Sequence, residues 1–555
     1  MKLTPGFLAG ALARGAALTP APVGATPPRR FPSHQINALP IYERPTRFSV
    51  ACNFDPELVA RVSEFPVYEV FGKLTEDYFG GGRPSFYLPT VGKPELEAYV
   101  ASVHARGIEF NYLLNSSSMN NVEFTTKGQR ELRKLLDWLS EAGVDTITVG
   151  NLFFLRLIKQ RYPHFGVRVS SHRETDNPRK ARFWEDNGAD CIVISETTVH
   201  RELEVLHAMR EAVKVDLSLI VNNWCRQDCA IASNHAVLLS NASRNGHQHF
   251  PLDYCSVYCN AYRLEEPVNY IRANWIRPED LPRYKKLGYT NFKIVERNTP
   301  TELLALRVWA YARERYDGNL LDLVQNYAYP RSVFKKRDTE AFSVRRMAKY
   351  FFKPQEVNLL RFRDIVGFGK ALSMLYPREA DNPVYIDNRA LDGFLERFET
   401  QGCESVDCET CRYCHQWAEK AVSFDPAWRR EMTQRFDRLL ADLHGGGLWE
   451  PYLDSIKRLF RKRAAGDGEA RPIATGGQAV PHLLGRQVAG RPAAHATPCA
   501  RPKPTGYVSV GNQGHSPAAV RARTERLEAP GPQERTGCGG CDHARACGAD
   551  AVEPP

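Results

Sequence analysis

Residues 215–224 are Val-Asp-Leu-Ser-Leu-Ile-Val-Asn-Asn-Trp, a short and almost continuous apolar run that ends in two amides. Residues 191–196, Cys-Ile-Val-Ile-Ser-Glu, have the same form. Strands buried on both faces are continuously apolar rather than alternating, and this is typical of parallel sheets covered by helices. The two runs therefore predict an α/β fold.

Eight such runs occur in the first half of the chain, and most are separated by amphipathic helical stretches such as Thr126–Ala142 and Val199–Ala212. The alternation predicts right-handed parallel strand–helix units. Eight units in about 270 residues favour a (β/α)8 TIM-like barrel over an open doubly wound sheet. The candidate strands are Phe48–Asn53, Val67–Phe71, Ile108–Asn115, Asp145–Asn151, Val167–His172, Cys191–Glu196, Val215–Asn222 and Asn291–Glu296.

Composition bounds the class of protein. The 555 residues are 43% hydrophobic and 25% charged, which excludes a mini-protein, a collagen and a mostly disordered chain. The net charge of +10 is partly carried by the termini, with +4 in residues 1–46 and +2 in residues 465–555. The charge therefore does not indicate a DNA partner. No apolar stretch is long enough for a transmembrane helix, so no membrane partner is expected.

The organisation predicted from these patterns has four parts. Residues 1–46 form a disordered leader, or follow a start codon placed too far upstream, in preference to a signal peptide. Residues 47–325 form the barrel with a cysteine-rich insertion. Residues 326–462 form a smaller, mainly helical C-terminal domain with a second cysteine motif. Residues 463–555, rich in Ala, Gly, Pro and Arg, form a disordered tail.

Polar residues end almost every candidate strand, which is where a TIM-like barrel builds its active site. Each has a simpler alternative role as a helix cap or turn residue. Arg83 lies in the glycine-rich segment 80–85, which forms either an anion-binding nest or a plain loop. The candidate catalytic residues are His172, Glu196, Asn222 and Glu296, and the candidate substrate-binding residues are Arg83, Asn151 and Arg297.

Four cysteines follow the seventh candidate strand in two CxxxC pairs: Cys225, Cys229, Cys255 and Cys259. Four thiolates can hold a tetrahedral zinc ion or a 4Fe-4S cluster. Structural zinc more often uses CxxC pairs, so the spacing favours iron–sulfur. Disulfides and free thiols are the alternatives, and the cytoplasmic location expected for the chain disfavours disulfides.

A second motif places four thiols within twelve residues: Cys403, Cys408, Cys411 and Cys414. It continues into a predicted helix at 416–422. The compact spacing resembles ferredoxin cluster motifs, whereas its CxxC pairs and the adjacent His415 also suit zinc. A second iron–sulfur cluster and a zinc site both stay open. Cys52 and Cys191 are predicted to be small core residues, and Cys499, Cys538, Cys541 and Cys547 lie in the tail.

Several segments together resemble the collagenase-like peptidase family, peptidase family U-32. They are 217–229 with His235, the Cys255/Cys259 pair, 276–281 and 291–302. The resemblance covers about residues 47–325. It implies a barrel-like catalytic domain and, in several branches, an iron–sulfur cluster, here at Cys225, Cys229, Cys255 and Cys259. Three residues separate the first two cysteines, whereas the better-known family signature has six.

The resemblance implies several activities. Branches of the family include collagenase-like proteases, oxygen-independent hydroxylation proteins of ubiquinone synthesis, and proteins that hydroxylate tRNA or ribosomal RNA bases. The sequence contains neither a GxSxG nor an HExxH motif. We therefore expect a cytoplasmic iron–sulfur oxidoreductase or hydroxylase acting on a small molecule or RNA base, helped by a redox partner or a related family subunit. The alternatives are a peptidase or other hydrolase with structural cysteine sites, and a non-catalytic cluster carrier.

Overall fold

A computed structural model describes residues 36–85, 88–244, 252–324, 383–404, 406–446 and 449–454, with a few single positions between 352 and 360 and at 456–457. All of them belong to one compact unit, residues 1–468. The tail, with Cys499, Cys538, Cys541 and Cys547, lies outside the described residues, as does most of 325–382.

Eight parallel strands close into a barrel in the order of the sequence, and the eighth pairs with the first. The predicted TIM-like fold is therefore confirmed. The strands are β1 (Arg47–Ala51), β2 (Val67–Gly72), β3 (Glu109–Leu114), β4 (Thr146–Val149), β5 (Gly166–Val169), β6 (Cys191–Val193), β7 (Asp216–Ile220) and β8 (Asn291–Ile294).

Helices follow the strands on the outside of the barrel, and most begin at an Asp, Asn or Thr cap or with an early proline. For example, Asn151 accepts a hydrogen bond from the Phe154 amide, and Asn177 accepts one from the Lys180 amide. The barrel helices are α1 (Pro56–Val62), α2 (Lys93–His104), α3 (Thr126–Glu141), α4 (Leu152–Arg161), α5 (Pro178–Asp186), α6 (Leu203–Ala212), α7 (Ala232–Asn241), α8 (Tyr254–Glu265), α9 (Val268–Ile271), α10 (Leu281–Lys286), α11 (Thr301–Ala312) and α12 (Leu321–Val324).

Most strands end earlier than the sequence predicts. The polar residues predicted to be the last residues of the strands lie in the loops that follow, where their side chains or amides form turns. His172 lies in a 3-10 helix, Ser171–Arg173, and Glu296 has a φ of 91° just past β8. A positive φ is costly for a residue with a side chain, and it turns the chain at the barrel mouth.

The folded region begins before residue 47, so the predicted leader boundary is wrong. Ile36 is buried, and a short 3-10 helix spans Ile41–Glu43. Arg44 donates a hydrogen bond of 2.7 Å to the Lys214 carbonyl, and Asn37 donates one of 2.8 Å to the Asp190 carbonyl. These contacts attach residues 36–46 to the barrel, which composition alone does not reveal.

Charged residues fill part of the barrel interior. Glu69 of β2 pairs with Arg168 of β5 at 2.7 Å and also accepts hydrogen bonds from Ser49 and Asn111. Both members of the ion pair are inaccessible to solvent. Buried charges are tolerated only when paired and hydrogen-bonded, so this network fixes the strands around it.

The C-terminal segment packs on the cysteine-bearing insertion of the barrel. It contains an antiparallel pair, β9 (Val384–Ile386) with β10 (Val422–Phe424), and three helices, α13 (Cys408–Cys411), α14 (Tyr413–Ala421) and α15 (Pro426–His444). Arg429 of α15 donates to the Leu264 carbonyl at 2.8 Å, and the Tyr254 hydroxyl contacts His444 at 2.9 Å. The mainly helical character predicted for this segment is confirmed. Among the helices of the described residues, none has the length and apolar character needed to cross a bilayer.

Replacing Glu69 by Leu should lower the free energy of unfolding by about 3 to 5 kcal/mol, because it leaves the buried Arg168 guanidinium without its counter-ion. Urea unfolding followed by circular dichroism measures this loss. Glu131→Gln, which removes only the partly exposed pairs with Arg130 and Lys134, should cost less than about 1 kcal/mol. Equal effects of the two substitutions would contradict the role assigned to the buried pair.

Candidate active site and cysteine sites

Two adjoining cavities lie at the carboxyl ends of the strands. They share a wall formed by Arg83, His172, Glu196 and Glu296. The inner cavity also contains Asn115, Lys293 and Arg297, and the outer cavity also contains Trp224, Cys225, Cys229, His235, Cys259 and Arg263. The structure thus brings together five predicted site residues, namely the four of the shared wall and Arg297, next to three of the first four cysteines.

Arg83 and Glu296 form a bidentate ion pair across the mouth. Arg83 Nη2 lies 2.5 Å from Glu296 Oε1, and Nε lies 3.4 Å from Oε2. The Glu296 side chain is nearly buried, whereas Arg83 is about one-third exposed (29%). The pair joins the loop after β2 to the loop after β8, so a substrate anion would compete with Glu296 for Arg83.

His172 is a half-buried imidazole whose surroundings favour the neutral form. Its Nδ1 lies 3.2 Å from Ser117 Oγ, and burial, with the positive charges of Arg83 and Arg173, lowers the pKa of His172 to about 3. Gly82 packs against the ring so closely that a Cβ there would lie 2.5 Å from His172 Cε1. A larger residue at position 82 would therefore displace the imidazole.

Glu196 follows β6 and lines both cavities. Burial and the nearby Glu296 carboxylate raise the pKa of Glu196, while the Arg83 charge opposes them. A carboxyl group in this environment holds a proton more readily than an ordinary glutamate. Glu196 is therefore the residue of the shared wall best suited to proton transfer.

Two predicted site residues serve the backbone instead. Asn222 donates to the Val295 carbonyl at 3.0 Å and accepts from the Val295 amide at 2.8 Å, so both ends of its side chain hold the β8 exit. Asn151 caps helix α4. Neither residue lines the inner or outer cavity, which makes Asn222 a positioning residue and Asn151 a helix cap.

The segment Gly80–Ser85 does not present a free anion nest. The Gly80 amide donates to Asp77 Oδ1 at 2.6 Å, and the Gly81 amide donates to Ser243 Oγ at 2.7 Å. These amides are used within the protein, so the loop contributes the Arg83 guanidinium rather than a backbone cradle.

The first cysteine set forms one wall of the outer cavity. Cys225 and Cys229 lie in the loop after β7, while Cys255 and Cys259 are one turn apart on α8. Burial, followed by the nearby charges of Glu196, Cys259 and Cys229, raises the pKa of Cys225. Cys225, Cys229 and Cys259 line the same cavity, although they lie in different elements.

The donor set suits an iron–sulfur cluster in type and number. All four side chains are thiols, and in the described part of the chain none belongs to a disulfide. Over those same residues, no three His, Cys, Asp or Glu side chains already converge as metal ligands do. Cluster binding at Cys225, Cys229, Cys255 and Cys259 therefore fits the chemistry of the residues and requires their side chains to move together.

The second cysteine set lies among arginines. Arg397 Nη1 contacts Cys411 Sγ at 2.7 Å. Burial opposes ionisation of Cys411, but this hydrogen bond, a second one from the Tyr413 backbone and the charge of Arg397 together lower its pKa. Burial raises the pKa of Cys403 to about 11, against the charge of Arg201. Cys408 is the first residue of helix α13 and Cys411 is the last. Cys414 lies in the first turn of α14, and α14 begins three residues before the helix predicted at 416–422. Positive charge around grouped thiols is the environment that stabilises thiolates.

One short segment, 271–274, which begins at the last residue of α9, contacts the surroundings of both cysteine sets. The Gln227 amide donates to the Arg272 carbonyl at 2.9 Å, and the Asn274 amide donates to the Cys225 carbonyl at 2.8 Å. The Arg272 side chain reaches Glu409 at 3.3 Å, next to Cys408. Arg272 therefore contacts the backbone near Cys225 with its carbonyl group and the surroundings of the second cysteine set with its side chain.

Sequence reasoning missed Lys293, which lines the inner cavity from β8. Asn115 was predicted to end a strand at this cavity but was not counted among the candidate site residues, and Ser117 was missed as the partner of His172. The lysine within the apolar run 291–296 was the available signal, because a charge inside a buried strand needs a reason. Cys52 and Cys191 are buried, as predicted.

The model of peptidase family U32 matches residues 88–356, a region that includes most of the barrel and the cysteine-bearing loop. Over this region the chain resembles peptidase family U32. An uncharacterized protease of Methanocaldococcus jannaschii is 26% identical over 357 residues, which covers 64% of this chain and 89% of the relative.

Solved structures similar to the chain include a U32 peptidase, Mk0906, at 22% identity and a TM-score of 0.35, covering 45% of this chain and 91% of that one. A phosphoribosyl anthranilate isomerase from Thermus thermophilus is 9% identical with a TM-score of 0.28, covering 48% of this chain and 100% of that one.

His172 should stay neutral between about pH 5 and pH 8, because burial keeps its pKa far below the ordinary histidine value. NMR of the histidine Cε1–H groups should show no titration of His172 over this range. His104, whose pKa is raised by its hydrogen bond with Asp145, should titrate above the ordinary value in the same spectra. A His172→Gln variant assigns the signal, and a midpoint near 6.5 for His172 would contradict the buried environment.

Proposed function

We propose that this protein is an iron–sulfur-dependent oxidoreductase that hydroxylates or otherwise modifies a small aromatic molecule or a nucleic-acid base. One observation carries the proposal: Cys225, Cys229 and Cys259 line the outer cavity, which shares Glu196, His172 and Glu296 with the inner cavity. Thiols that could hold a cluster and groups suited to proton transfer therefore line two adjoining cavities.

Hydroxylation without molecular oxygen can take its oxygen from water. In that case R–H and H2O give R–OH, two protons and two electrons, and the electrons pass to an external one-electron acceptor of the ferredoxin class. When bound by the first cysteine set, the cluster supplies the route for these electrons. With four cysteine ligands no iron position is left open, which favours electron transfer or structural ordering over activation of the substrate oxygen.

The residues of the shared wall supply the proton chemistry. Glu196, with its raised pKa, receives a proton as the new C–O bond forms. The neutral His172 accepts or donates a single hydrogen bond and orients the attacking water or the substrate hydroxyl. Arg83, held by Glu296, marks where an anionic substituent of the substrate would bind.

The second cysteine set extends the proposal to the surface of the protein. Cys408 is exposed, and Cys403, Cys411 and Cys414 are partly exposed, so a redox partner could approach this set directly. Segment 271–274 supports coupling of this set with Cys225. Zinc binding at the second set, with a purely structural role, is the competing proposal for these four residues.

A hydrolase is the second candidate function. One ground for it is the name of the Methanocaldococcus jannaschii relative, an uncharacterized protease. The other is that Glu196 lines the inner cavity, which could hold an attacking water molecule. In this case both cysteine sets are structural, and Glu196 acts as the general base.

Anaerobic reconstitution with iron and sulfide should load about four iron atoms for each cluster bound, with the broad visible absorbance of iron–sulfur proteins. Cys225→Ser should lose the iron bound at the first set while the protein stays folded. Cys52→Ala serves as the matched control, because Cys52 is buried away from both cysteine sets and should leave the iron content unchanged. A wild-type protein that binds no iron, or an iron-free variant that keeps a proteolytic activity, favours the hydrolase.

Cys414→Ser separates the two possibilities for the second set. Elemental analysis should show a loss of iron with the zinc content unchanged if this set holds a cluster, and the signal lost with Cys225→Ser should remain. A loss of zinc alone would assign the second set to structural zinc.

A further inference from the structure

Lys293 is an unusual cation in the barrel interior. It belongs to β8 and is only 6% exposed, yet none of the carboxylates in the described residues forms an ion pair with it. Its ammonium group instead lies 4.1 Å from the centroid of the Phe71 ring. Three other buried cations of the barrel each have a carboxylate partner: Arg47 with Asp216 at 2.5 Å, Lys73 with Asp77 at 2.8 Å, and Arg168 with Glu69 at 2.7 Å.

The inner cavity contains a second incompletely paired cation. Arg297 is 4% exposed, and its Nη2 atom is buried without a hydrogen-bond partner. Lys293 and Arg297 both line the inner cavity, together with Glu196. Leaving two cationic groups short of partners beside one cavity is costly in a folded protein, so the groups are suited to a ligand that supplies the missing contacts.

The environment also makes the Lys293 amine a weaker base than that of an ordinary lysine. Burial, with the charge of Arg168 below it, lowers the pKa of Lys293 to about 8, against the opposing charges of Glu69, Cys191 and Glu196. An ordinary lysine has a pKa of about 10.4 and is almost fully protonated at a pH of about 8. A substantial fraction of Lys293 is therefore the neutral amine, which is the nucleophilic form.

We propose that Lys293 is a nucleophilic residue that captures a small 2-oxo acid in the inner cavity as an imine, with the acid's carboxylate bound by Arg297. This activity goes beyond the proposed redox function, because it needs no iron. The cavity places the amine beside an acid, Glu196, and beside a carboxylate-binding guanidinium, which are the groups that imine formation requires.

The bond changes balance without any oxidant or reductant. Lys293 Nζ attacks the carbonyl carbon, so a C–N bond forms as the carbonyl π bond breaks, and the amine proton passes to the oxygen. The resulting carbinolamine loses its hydroxyl group as water: the C–O bond breaks with a proton delivered by Glu196, and the nitrogen lone pair forms the C=N bond. The products are the protonated imine, one water molecule and the Glu196 carboxylate, which can take the N–H proton to give the neutral imine.

Trapping with pyruvate and sodium cyanoborohydride tests the proposal. Full-length protein prepared without iron is incubated with both reagents, and intact mass and peptide mapping locate the adducts. One reduced pyruvyl group should appear on Lys293 first, at a rate that rises with pH to a midpoint near 8. Lys134, which is 63% exposed, should react more slowly, because it lies outside the cavity proposed to bind the acid.

Matched variants sharpen the test. Lys293→Arg keeps the positive charge and should abolish the fast adduct, whereas Lys134→Arg should leave it unchanged. Arg297→Gln should slow capture of pyruvate about tenfold, the effect of losing one charged hydrogen bond, while leaving capture of the uncharged propanal unaltered.

Two results would overturn the proposal: adducts spread over exposed lysines with Lys293 unmodified, or pyruvate bound without any trapped adduct, which would make the site a simple anion site. If Lys293→Arg fails to fold, the peptide map of the wild-type protein still decides. Because every step uses iron-free protein, failure here is independent of the iron measurement that tests the redox function.

Discussion

The pairing of β8 with β1 is the constraint on which the rest of the structure depends. Once the eighth strand closes the sheet, all eight carboxyl ends meet at one rim, and residues far apart in the sequence become neighbours. Arg83 and Glu296, separated by 213 positions, form their ion pair only because the loops after β2 and β8 lie on that rim. Closure also removes the unpaired sheet edges that an open arrangement would expose.

Closure places charged residues inside the barrel, and the pairing of these charges differs between the two ends of the barrel. Toward the amino ends of the strands, Arg47 pairs with Asp216, and deeper in the barrel Glu69 pairs with Arg168, so these charges are satisfied within the protein. At the carboxyl ends, neither Lys293 nor Arg297 forms an ion pair with a carboxylate of the described residues. Satisfied charges stabilise a fold, whereas charges left short of partners beside a cavity indicate a site for a ligand.

The sequence was sufficient for the barrel because buried parallel strands are recognisable from continuous apolar runs such as 191–196. It also located His172, Glu196, Glu296 and Arg297, since strand ends in this fold meet at one rim. It could not separate Asn222, whose amide is used by the Val295 backbone, from residues that face the cavity. That distinction depends on side-chain direction in a loop, which short-range patterns do not encode. Residues 36–46 were missed because Arg44 and Ile36 are held by tertiary contacts rather than by their own periodicity.

Segment 271–274 explains why two cysteine motifs so far apart in the chain belong to one arrangement. Its backbone pairs with the loop that carries Cys225, so displacing that loop displaces Arg272 as well. Arg272 reaches Glu409 beside the second set, and Arg201 donates to the Ile271 carbonyl at 2.6 Å while its charge acts on Cys403 and Cys414. Two arginines fixed to a shared backbone therefore lie near both cysteine sets. The C-terminal segment in turn contacts α8, the helix that carries Cys255 and Cys259, through Arg429 and His444.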